Sequence, residues 1–325
     1  HGYTSELDST LFYGNITPVN KDRKLAITIN TYGEDVESVG YKIRSLEDKS
    51  LIENTEVSGY QVTDNKINVT LNIKNLLDTG KEYALEVVLK TKKHDAVYYY
   101  TRIMYGTDYN LQKKLDFVRD FNACTFDSAR LKDIGGYLET SSVGDNTNYG
   151  KVNINCSLSQ IGWGDLEPYI ESEITPEIIS INDDVAIIRL DYRVGAANDY
   201  SSSDTYNVNE YYRIRQTNSG FYLLNFEREM NQVFDAKNDL TSSAKINLGI
   251  NSSTYVNCTS DEKGIYTYFV NQGSLWCFSS SSQTFTRVFS FRGEETDSVR
   301  EDYDAHNIKI MKIEDNGDAT FLVSG

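Results

Sequence analysis

Strict alternation of apolar and polar residues marks the first hundred residues of the chain. In "LAITIN" (25–30), "INVTLNIK" (67–74) and "YALEVVLK" (83–90), every second residue is Leu, Ile, Val or Tyr, and the residues between them are mostly small or polar. A period of two with one polar face is the pattern of an antiparallel strand. Two further strands are predicted at "VGYKIRSL" (39–46) and "VYYYTRIMYG" (97–106). Many short strands in so short a stretch predict a β-sandwich.

A corner-like stretch precedes the third of these strands. In "NLLDTGKEYALEVVL" (75–89), a Leu-rich segment and Gly80 lead into Tyr83 at the start of a strand. This stretch resembles the tyrosine corner of immunoglobulin-like and fibronectin type III domains, whose Tyr hydroxyl bonds to the backbone a few residues upstream. The Cys…Trp…Cys core of immunoglobulins is lacking, so the resemblance, which covers residues 15–106, implies a fibronectin-like sandwich. We expect this domain over residues 3–107, as a spacer or adhesive module. The alternative is that Tyr83 is an ordinary strand residue.

The period of the pattern becomes helical at residue 109. "YNLQKKLDFVRDFNACTF" (109–126) predicts an amphipathic helix, and "DSARLKDIGGYLE" (127–139) predicts a second helix with Asp127 or Ser128 as its N-cap. Two helices followed by a long antiparallel sheet predict an α+β domain over residues 108–240. Its strands are predicted at 151–158, 185–194, 205–215 and 221–228.

The hairpin "VNEYYRIRQTNSGFYLLNFEREMNQVF" (208–234) gives this domain a resemblance to a known fold. It resembles the cone-shaped fold of nuclear transport factors and ketosteroid isomerase relatives. The resemblance implies helices packed on a curved antiparallel sheet. It also implies a hydrophobic pocket under that sheet, which the fold uses for catalysis, ligand binding or dimerisation.

The turn of this hairpin decides which charges face each other. With a two-residue loop, Glu210 lies opposite Glu227; with a three-residue loop at 218–220, it lies opposite Arg228. We favour the second register, because Gly at the third loop position suits a type I turn with a bulge and the like-charge pair is avoided. The first register would give two carboxylates sharing a proton, beside Tyr212. The second gives an ordinary surface ion pair.

One tryptophan suggests a different kind of site. Trp163 lies between two glycines in "GWGDLEPYI" (162–170). Such a loop presents an exposed aromatic ring that stacks on a sugar or on another protein. The alternative is a Trp that closes the mouth of its own core.

The last part of the chain has short, regularly spaced strands. "STYVNC" (253–258), "GIYTYFV" (264–270), "LWCFS" (275–279) and "TFTRVFSF" (284–291) fit four consecutive strands. Their arrangement resembles one blade of a β-propeller.

The final hairpin, "IKIMKIEDNGDATFLVSG" (308–325), would open a second blade. With a bulged turn, Met311 is expected to face Phe321, and Ile310 to face Leu322. Propellers close through at least about four blades, so this interpretation expects further chain beyond the sequence given. The alternative is that residues 241–325 form a small β-meander packed on the middle domain.

The net charge of the chain disfavours two classes of binding partner. The chain has 325 residues, with 32 Lys and Arg against 48 Asp and Glu, for a net charge of −16. Nucleic acids and anionic membranes attract the opposite sign, so the sequence disfavours both. No run of about 18 apolar residues is present, so membrane contact is expected only through an anchor absent from this sequence. The composition, rich in Asn and Tyr and poor in Pro, is typical of low-GC bacteria.

The cysteines give no disulfide framework. Cys258 and Cys277 fall on predicted strands that are next-but-one neighbours, about 9–10 Å apart, which is too far for a disulfide. We interpret them, with Cys124 and Cys156, as small buried apolar residues. No zinc-type Cys/His spacing and no nucleotide-binding or hydrolase motif is present, so no cofactor, metal or catalytic residue is assigned.

The sequence therefore predicts a multidomain, mainly β protein with one α+β domain: a β-sandwich, then helices on a curved antiparallel sheet, then a propeller-like β-meander. Our leading hypothesis is a non-enzymatic, extracytoplasmic, modular binding or scaffold protein with a protein or glycan partner. One alternative is a ligand-binding or weakly catalytic cone domain around Glu210, Tyr212 and Glu227. Another is carbohydrate recognition through Trp163 and surface tyrosines.

Overall fold

The protein is represented by a computed structural model that describes most of the chain. The described residues are 2–63, 65–106, 109–197, 203–237, 241–242, 245–249, 256–291 and 306–324. Strands dominate these residues and helices are few, which confirms the predicted mainly β class. The domain boundaries expected at 107/108 and at 240/241 fall on or beside residues outside these ranges, and they stay predictions.

Two sheets form the first part of the molecule. Its strands are β1 (Ile16–Val19), β2 (Lys24–Asn30), β3 (Val36–Ser45), β4 (Leu51–Val57), β5 (Gln61–Thr63), β6 (Lys66–Asn72), β7 (Glu82–Thr91) and β8 (Val97–Tyr105), preceded by a short 3-10 helix, Ser9–Leu11. The order β1-β8-β7-β3-β4 makes one sheet and β2-β6-β5 the other. Leu25 and Leu71 from the smaller sheet share a core with Ile43 and Leu85 from the larger sheet. The two sheets therefore face each other, as the alternation predicts.

The backbone tie expected at Tyr83 is present. The Tyr83 hydroxyl accepts a hydrogen bond of 2.8 Å from the Asp78 backbone N–H, five residues upstream. The ring is buried in the shared core of the two sheets. This bond fixes the chain as it turns from β6 into β7.

The middle part combines one long helix with a six-stranded sheet. Its elements are α1 (Leu111–Thr125), a 3-10 helix (Leu131–Tyr137), β9 (Lys151–Asn153), α2 (Leu158–Ile161), β10 (Tyr169–Ile170), β11 (Thr175–Ile181), β12 (Val185–Ala197), β13 (Ser203–Thr217) and β14 (Gly220–Gln232). The sheet order is β10-β12-β13-β14-β9, with β11 also pairing with β12. Helix α1 lies where the sequence predicts it.

Two predictions for this part were wrong. The second helix is a 3-10 helix, and it contains Gly135 and Gly136, which disfavour an α-helix. Asp127 still caps its approach, since its carboxylate accepts the Ala129 N–H at 2.9 Å. The strand predicted at 151–158 ends at Asn153, whose side chain accepts the backbone N–H two residues later and forms an Asx turn.

The space beneath the sheet is filled by side chains. Helix α1 contributes Val118 and Phe121 to a core that also contains Tyr212 and Phe226. The Tyr212 ring lies 5.6 Å from that of Phe121 and 5.1 Å from that of Phe226, centroid to centroid. Aromatic rings from the helix and the sheet therefore pack against each other beneath the sheet.

The last part contains β15 (Thr241–Ser242), β16 (Lys245–Ile246), β17 (Cys258–Ser260), β18 (Tyr266–Asn271), β19 (Ser274–Ser279), β20 (Thr284–Ser290), β21 (Asn307–Ile313) and β22 (Ala319–Ser324). Strands β17 to β20 form a sheet in chain order, as expected for the meander. The first predicted strand, 253–258, begins later than expected in the described chain, at Cys258, and residues 251–255 lie outside the described ranges. Whether this sheet belongs to a propeller stays a prediction.

Each face of this four-stranded sheet is covered. The β21–β22 hairpin packs Ile308 and Ile310 against Tyr268 and Leu275 on one face. On the other face, Phe234 from the middle part contacts the rings of Phe269, Trp276 and Phe285.

The register predicted for the last hairpin was wrong beyond the turn. Ile310 pairs with Phe321, and Lys309 pairs with Leu322, because a β-bulge at Met311 adds one residue to β21. Met311 is 58% exposed. The bulge keeps Ile308 and Ile310 on the buried side.

The four cysteines differ in their exposure to solvent. Cys124, Cys156 and Cys277 are buried free thiols, whereas Cys258 is exposed, so the prediction that all four are buried was wrong. Cys258 and Cys277 lie on β17 and β19, which flank β18 as predicted. Among the described residues, no helix has both the length and the apolar composition needed to cross a membrane.

Candidate functional site

The structure separates the residues predicted for a site in the middle part. Glu210, Tyr212 and Trp163 lie together in the core beneath the sheet, whereas Glu227 lies on the opposite face. The cause is a β-bulge at Leu224 in β14. The two faces therefore have to be considered separately.

The β13–β14 hairpin has the predicted Glu210–Arg228 pairing but not the predicted turn. Thr217 pairs with Gly220, so the loop has two residues and the predicted three-residue loop was wrong. The extra residue sits at Leu224, and beyond it Glu210 pairs with Arg228 as predicted. A ladder continuing from this turn without the bulge would pair Glu210 with Glu227 and would move every following side chain of β14 to the other face.

The Glu210–Arg228 pair is buried, so the prediction of a surface ion pair was wrong. Both side chains are 0% exposed, and Glu210 Oε1 lies 3.8 Å from Arg228 Nη1. Glu210 Oε2 accepts hydrogen bonds from the Tyr212 hydroxyl at 2.6 Å and from Asn122 Nδ2 at 2.8 Å. Asn122 lies on α1, so the carboxylate joins the helix to the sheet.

Arg228 donates hydrogen bonds to the short helix α2. Its guanidinium donates to the carbonyl oxygens of Gln160 at 3.0 Å and Ile161 at 2.9 Å, at the C-terminal end of α2. A cation at the C-terminal end of a helix is favoured by the partial negative charge of the carbonyl groups there. Burial lowers the pKa of Arg228, and the neighbouring Glu210 carboxylate opposes that change.

Trp163 closes this core, which is the second of the two interpretations of its sequence. The side chain is 1% exposed, and the guanidinium carbon of Arg228 lies 3.4 Å from its ring centroid. Its indole N–H donates to Thr125 Oγ1 at 3.2 Å. Its backbone has a φ of 69°, in the left-handed region. The ring is therefore not presented to solvent.

The two buried tyrosines act as hydrogen-bonding groups in their protonated form. Burial raises the pKa of Tyr212 and of Tyr192 well above the usual value, and the charge of Glu210 raises both further. Tyr192 accepts from Asn122 Nδ2 at 3.2 Å. The inner face thus carries an interlocked polar network inside an aromatic core, and its single carboxylate faces a cation rather than a second acid.

The outer face of the same sheet is polar. Tyr211 pairs with Arg189 on β12 and with Glu227 on β14. The row continues to Glu177 on β11 and to Asn153 on β9, and so crosses five strands. Side chains that pair directly across antiparallel strands share a face, about 5 Å apart. We call this surface the outer polar face; along β13 it comprises Asn207, Asn209, Tyr211, Arg213 and Arg215.

Several polar groups on the outer polar face are held in place by neighbours. Arg189 Nη2 donates to Glu177 Oε2 at 2.7 Å, and its Nε lies 2.9 Å from Asp191 Oδ2. Asn225 Nδ2 donates to Glu227 Oε1 at 3.1 Å. These contacts orient planar amide, carboxylate and guanidinium groups around Tyr211.

The end of this face nearest the β13–β14 turn has a different character. Arg213 and Arg215 are exposed and, among the residues that the structure describes, neither forms an ion pair. The guanidinium carbon of Arg215 lies 5.6 Å from the ring centroid of Tyr222, which is 48% exposed. Sequence reasoning missed this face, although Tyr211, Arg213 and Arg215 occupy alternate positions of the strand predicted at 205–215, a signal that could have found it.

No metal centre is evident in the described part of the chain, where His, Cys, Asp and Glu do not form a group of three or more able to hold an ion.

Comparisons with known proteins do not show a family for this chain. No protein-family model matches the chain, and no curated protein matches it. Among solved structures, the chain is similar to SGBP-B of the Bacteroides ovatus mixed-linkage glucan utilization locus, in complex with a mixed-linkage heptasaccharide. The match has 15% identity, covers 94% of this chain and 61% of that one, and has a TM-score of 0.17. The chain thus spans under two thirds of that protein, and a TM-score so low carries no argument about fold or function.

Proposed function

We propose that the protein is a non-enzymatic binding protein that recognises a glycan on its outer polar face. The observation that carries this proposal is the cross-strand row centred on Tyr211, with Arg189 and Glu227 on either side. An aromatic ring packs against the apolar C–H face of a sugar, and planar amide, carboxylate and guanidinium groups bond its hydroxyls. The row supplies both on one surface.

The inner network supports the non-enzymatic part of the proposal. A ligand-binding or catalytic cone domain needs space and a reactive group beneath the sheet. Here Phe121, Tyr212 and Phe226 fill that position, and Glu210 is engaged by Tyr212 and Asn122. On the outer polar face, the Glu229 carboxylate lies 3.4 Å from Lys151 Nζ, and its side chain is 43% exposed, so the two form an ordinary surface ion pair.

We also propose an extracytoplasmic location, where a polymeric glycan would be met. A β-sandwich ahead of a polar sheet face suits a modular surface protein, in which one body acts as a spacer and another binds. Labelling of intact cells with a membrane-impermeant amine reagent tests the location. Modification of the protein only after lysis would contradict it.

The binding proposal is tested by affinity electrophoresis and calorimetry against a panel of soluble polysaccharides. We expect at least one glycan to bind, and Tyr211→Ala to weaken that binding by about tenfold or more, a loss of about 1.4 kcal/mol. Tyr32→Ala is the control for loss of a tyrosine elsewhere, because Tyr32 is 66% exposed and lies after β2, outside the six-stranded sheet. Since Tyr211 is half-buried, thermal unfolding of both variants checks that the fold is retained. Absence of binding to every polysaccharide, or equal loss in both variants, would overturn the proposal.

A further inference from the structure

We propose that the turn end of the outer polar face binds the carboxylate of an acidic sugar, so that the recognised glycan contains uronic acid units. This inference rests on the proposed function and names its ligand class. The groups that carry it are Arg213, Arg215 and Tyr222.

Arg213 and Arg215 follow Tyr211 at a spacing of two residues on the same face of β13. Their alternation with the buried Tyr212 and Ile214 fixes this orientation. Strand geometry places successive outward side chains about 7 Å apart. Two long, flexible arginine side chains at that distance are able to converge on one carboxylate, or to contact neighbouring sugar units while Tyr211 stacks on the next.

The two arginines differ from their neighbour Arg189. Arg189 is occupied by Glu177 and Asp191, whereas Arg213 and Arg215 have no carboxylate partner in the described chain. A guanidinium binds a carboxylate through two parallel N–H···O bonds, and such charge-assisted bonds are about twice as strong as neutral ones. Two exposed guanidinium groups without a carboxylate partner among the described residues are therefore suited to an incoming carboxylate.

The cross-strand partners support a sugar unit at this position. Tyr222 pairs with Arg215 and Asn225 pairs with Arg213, so an exposed ring and an amide flank the two charges. The contact of Arg215 with the Tyr222 ring restrains its guanidinium by a cation–π interaction. The turn end thus offers an aromatic surface, an amide and two cations together.

The net charge of the chain limits where an acidic glycan is attracted. At a net charge of −16, the protein repels a polyanion at long range. Screening limits this repulsion to about 8 Å at physiological ionic strength, so local charges dominate once the ligand is in contact. On the neighbouring row, the Glu227 carboxylate accepts a hydrogen bond from Asn225 Nδ2 at 3.1 Å. We therefore expect selection for a carboxylate to be local and to weaken as salt is added.

The test compares paired glycans that differ only in charge. Polygalacturonate, alginate and hyaluronan are each presented beside the same polymer after carboxyl reduction, to the full chain and to an R213Q/R215Q variant. We expect the unmodified protein to bind at least one acidic polymer about tenfold or more tighter than its reduced form, and the variant to lose this preference. Arg119→Gln, an exposed arginine on α1, is the control and should keep it.

The outcomes separate the two proposals. Equal binding of a polymer and its reduced form, or a preference that survives in the R213Q/R215Q variant, overturns the acidic-sugar inference and leaves glycan binding intact. Loss of binding to acidic and neutral polymers alike in Tyr211→Ala supports the shared face. Failure of the unmodified protein to bind any glycan overturns both. Thermal unfolding of each variant checks that these exposed substitutions leave the fold unchanged.

Discussion

Glu210 and Arg228 show how a single residue pair organises the middle of the molecule. Both are fully buried, and removing two charges from water costs several kcal/mol per ion unless hydrogen bonds replace the lost solvent. Tyr212 and Asn122 provide these bonds for Oε2 of Glu210, and two helix-terminal carbonyl groups provide them for Nη1 and Nη2 of Arg228. Among the described residues, Glu210 Oε1 and Arg228 Nε have no hydrogen-bond partner, so each ion is only partly compensated. The pair therefore links α1, α2 and the sheet rather than forming a reactive centre.

Replacing Arg228 by Met tests this structural role. The change leaves Glu210 as an uncompensated buried charge, so we expect urea unfolding to show a loss of about 3–5 kcal/mol. The double variant R228M/E210Q removes both charges and should recover part of that loss. A loss below about 1 kcal/mol in R228M, or no recovery in the double variant, would contradict the role.

The buried tyrosines predict a pH dependence on the alkaline side. An unfolded tyrosine ionises near pH 10, whereas burial and the Glu210 charge raise the pKa of Tyr212 well above that value in the folded protein. Above pH 10 the unfolded state therefore binds fewer protons than the folded state, and the free energy of unfolding falls as pH rises. Each such tyrosine contributes up to about 1.4 kcal/mol per pH unit.

Tyr212→Phe should make this fall less steep. The measurement is urea unfolding at intervals between pH 9 and 11.5, and the readout is the slope rather than the stability at one pH. Phe226→Leu is the control, since it disturbs the same aromatic cluster without removing an ionisable group. Equal slopes in Tyr212→Phe and the unmodified protein would exclude Tyr212 as a source of the dependence.

At the scale of secondary-structure elements, two β-bulges determine which side chains of the two hairpins face the core. In β14 the inward residues are Leu223 and then Phe226, so the alternation changes phase between them. In β21 they are Ile310 and then Ile313, and the bulge at Met311 lies at the change of phase. In both strands the bulge restores the apolar side chains to the core. The register of each hairpin beyond its bulge therefore follows from the positions of the apolar residues rather than from the turn.

Deleting Leu224 distinguishes a bulge residue from a ladder residue. Removal of Leu224 should leave a regular hairpin with Glu210 still opposite Arg228, at a cost of about 1–2 kcal/mol. Deletion of Glu227 is the control, because it turns Arg228 outward and leaves Glu210 without its cation, at a cost of about 3–5 kcal/mol. Urea unfolding measures both, and equal costs would contradict this account of the bulge.

The same elements show what the sequence could predict. Regular alternation located β2, β6 and β7, and helical spacing located α1, whereas β1, β4 and β5 were not predicted. The pairing of Glu210 with Arg228 was predicted from a three-residue loop that does not form, because the extra residue was assigned to the turn and lies instead in a bulge at Leu224. The packing of Trp163 on Arg228 could not be predicted, since these residues lie far apart in sequence and meet only through tertiary structure.

At the scale of the whole molecule, the cores are not confined to the predicted domains. Ile16 on β1 and Met104 on β8 belong to the first sandwich by sequence, yet both are buried in the core of the middle part. Asn15 Nδ2 also donates to Glu177 Oε1 on β11 at 3.2 Å. The first two parts are therefore joined by apolar burial, and we expect them to unfold together.

Calorimetry of the full chain tests this coupling through Met104. We expect one transition for the first two parts, and we expect Met104→Ser to divide it, because a hydroxyl buried in the shared core weakens the contact between them. Met230→Ser is the matched control: Met230 lies in the same core but within the middle part alone, so its loss should lower the transition temperature without dividing the transition. Separate transitions in the unmodified protein would instead favour independent domains on either side of residue 107.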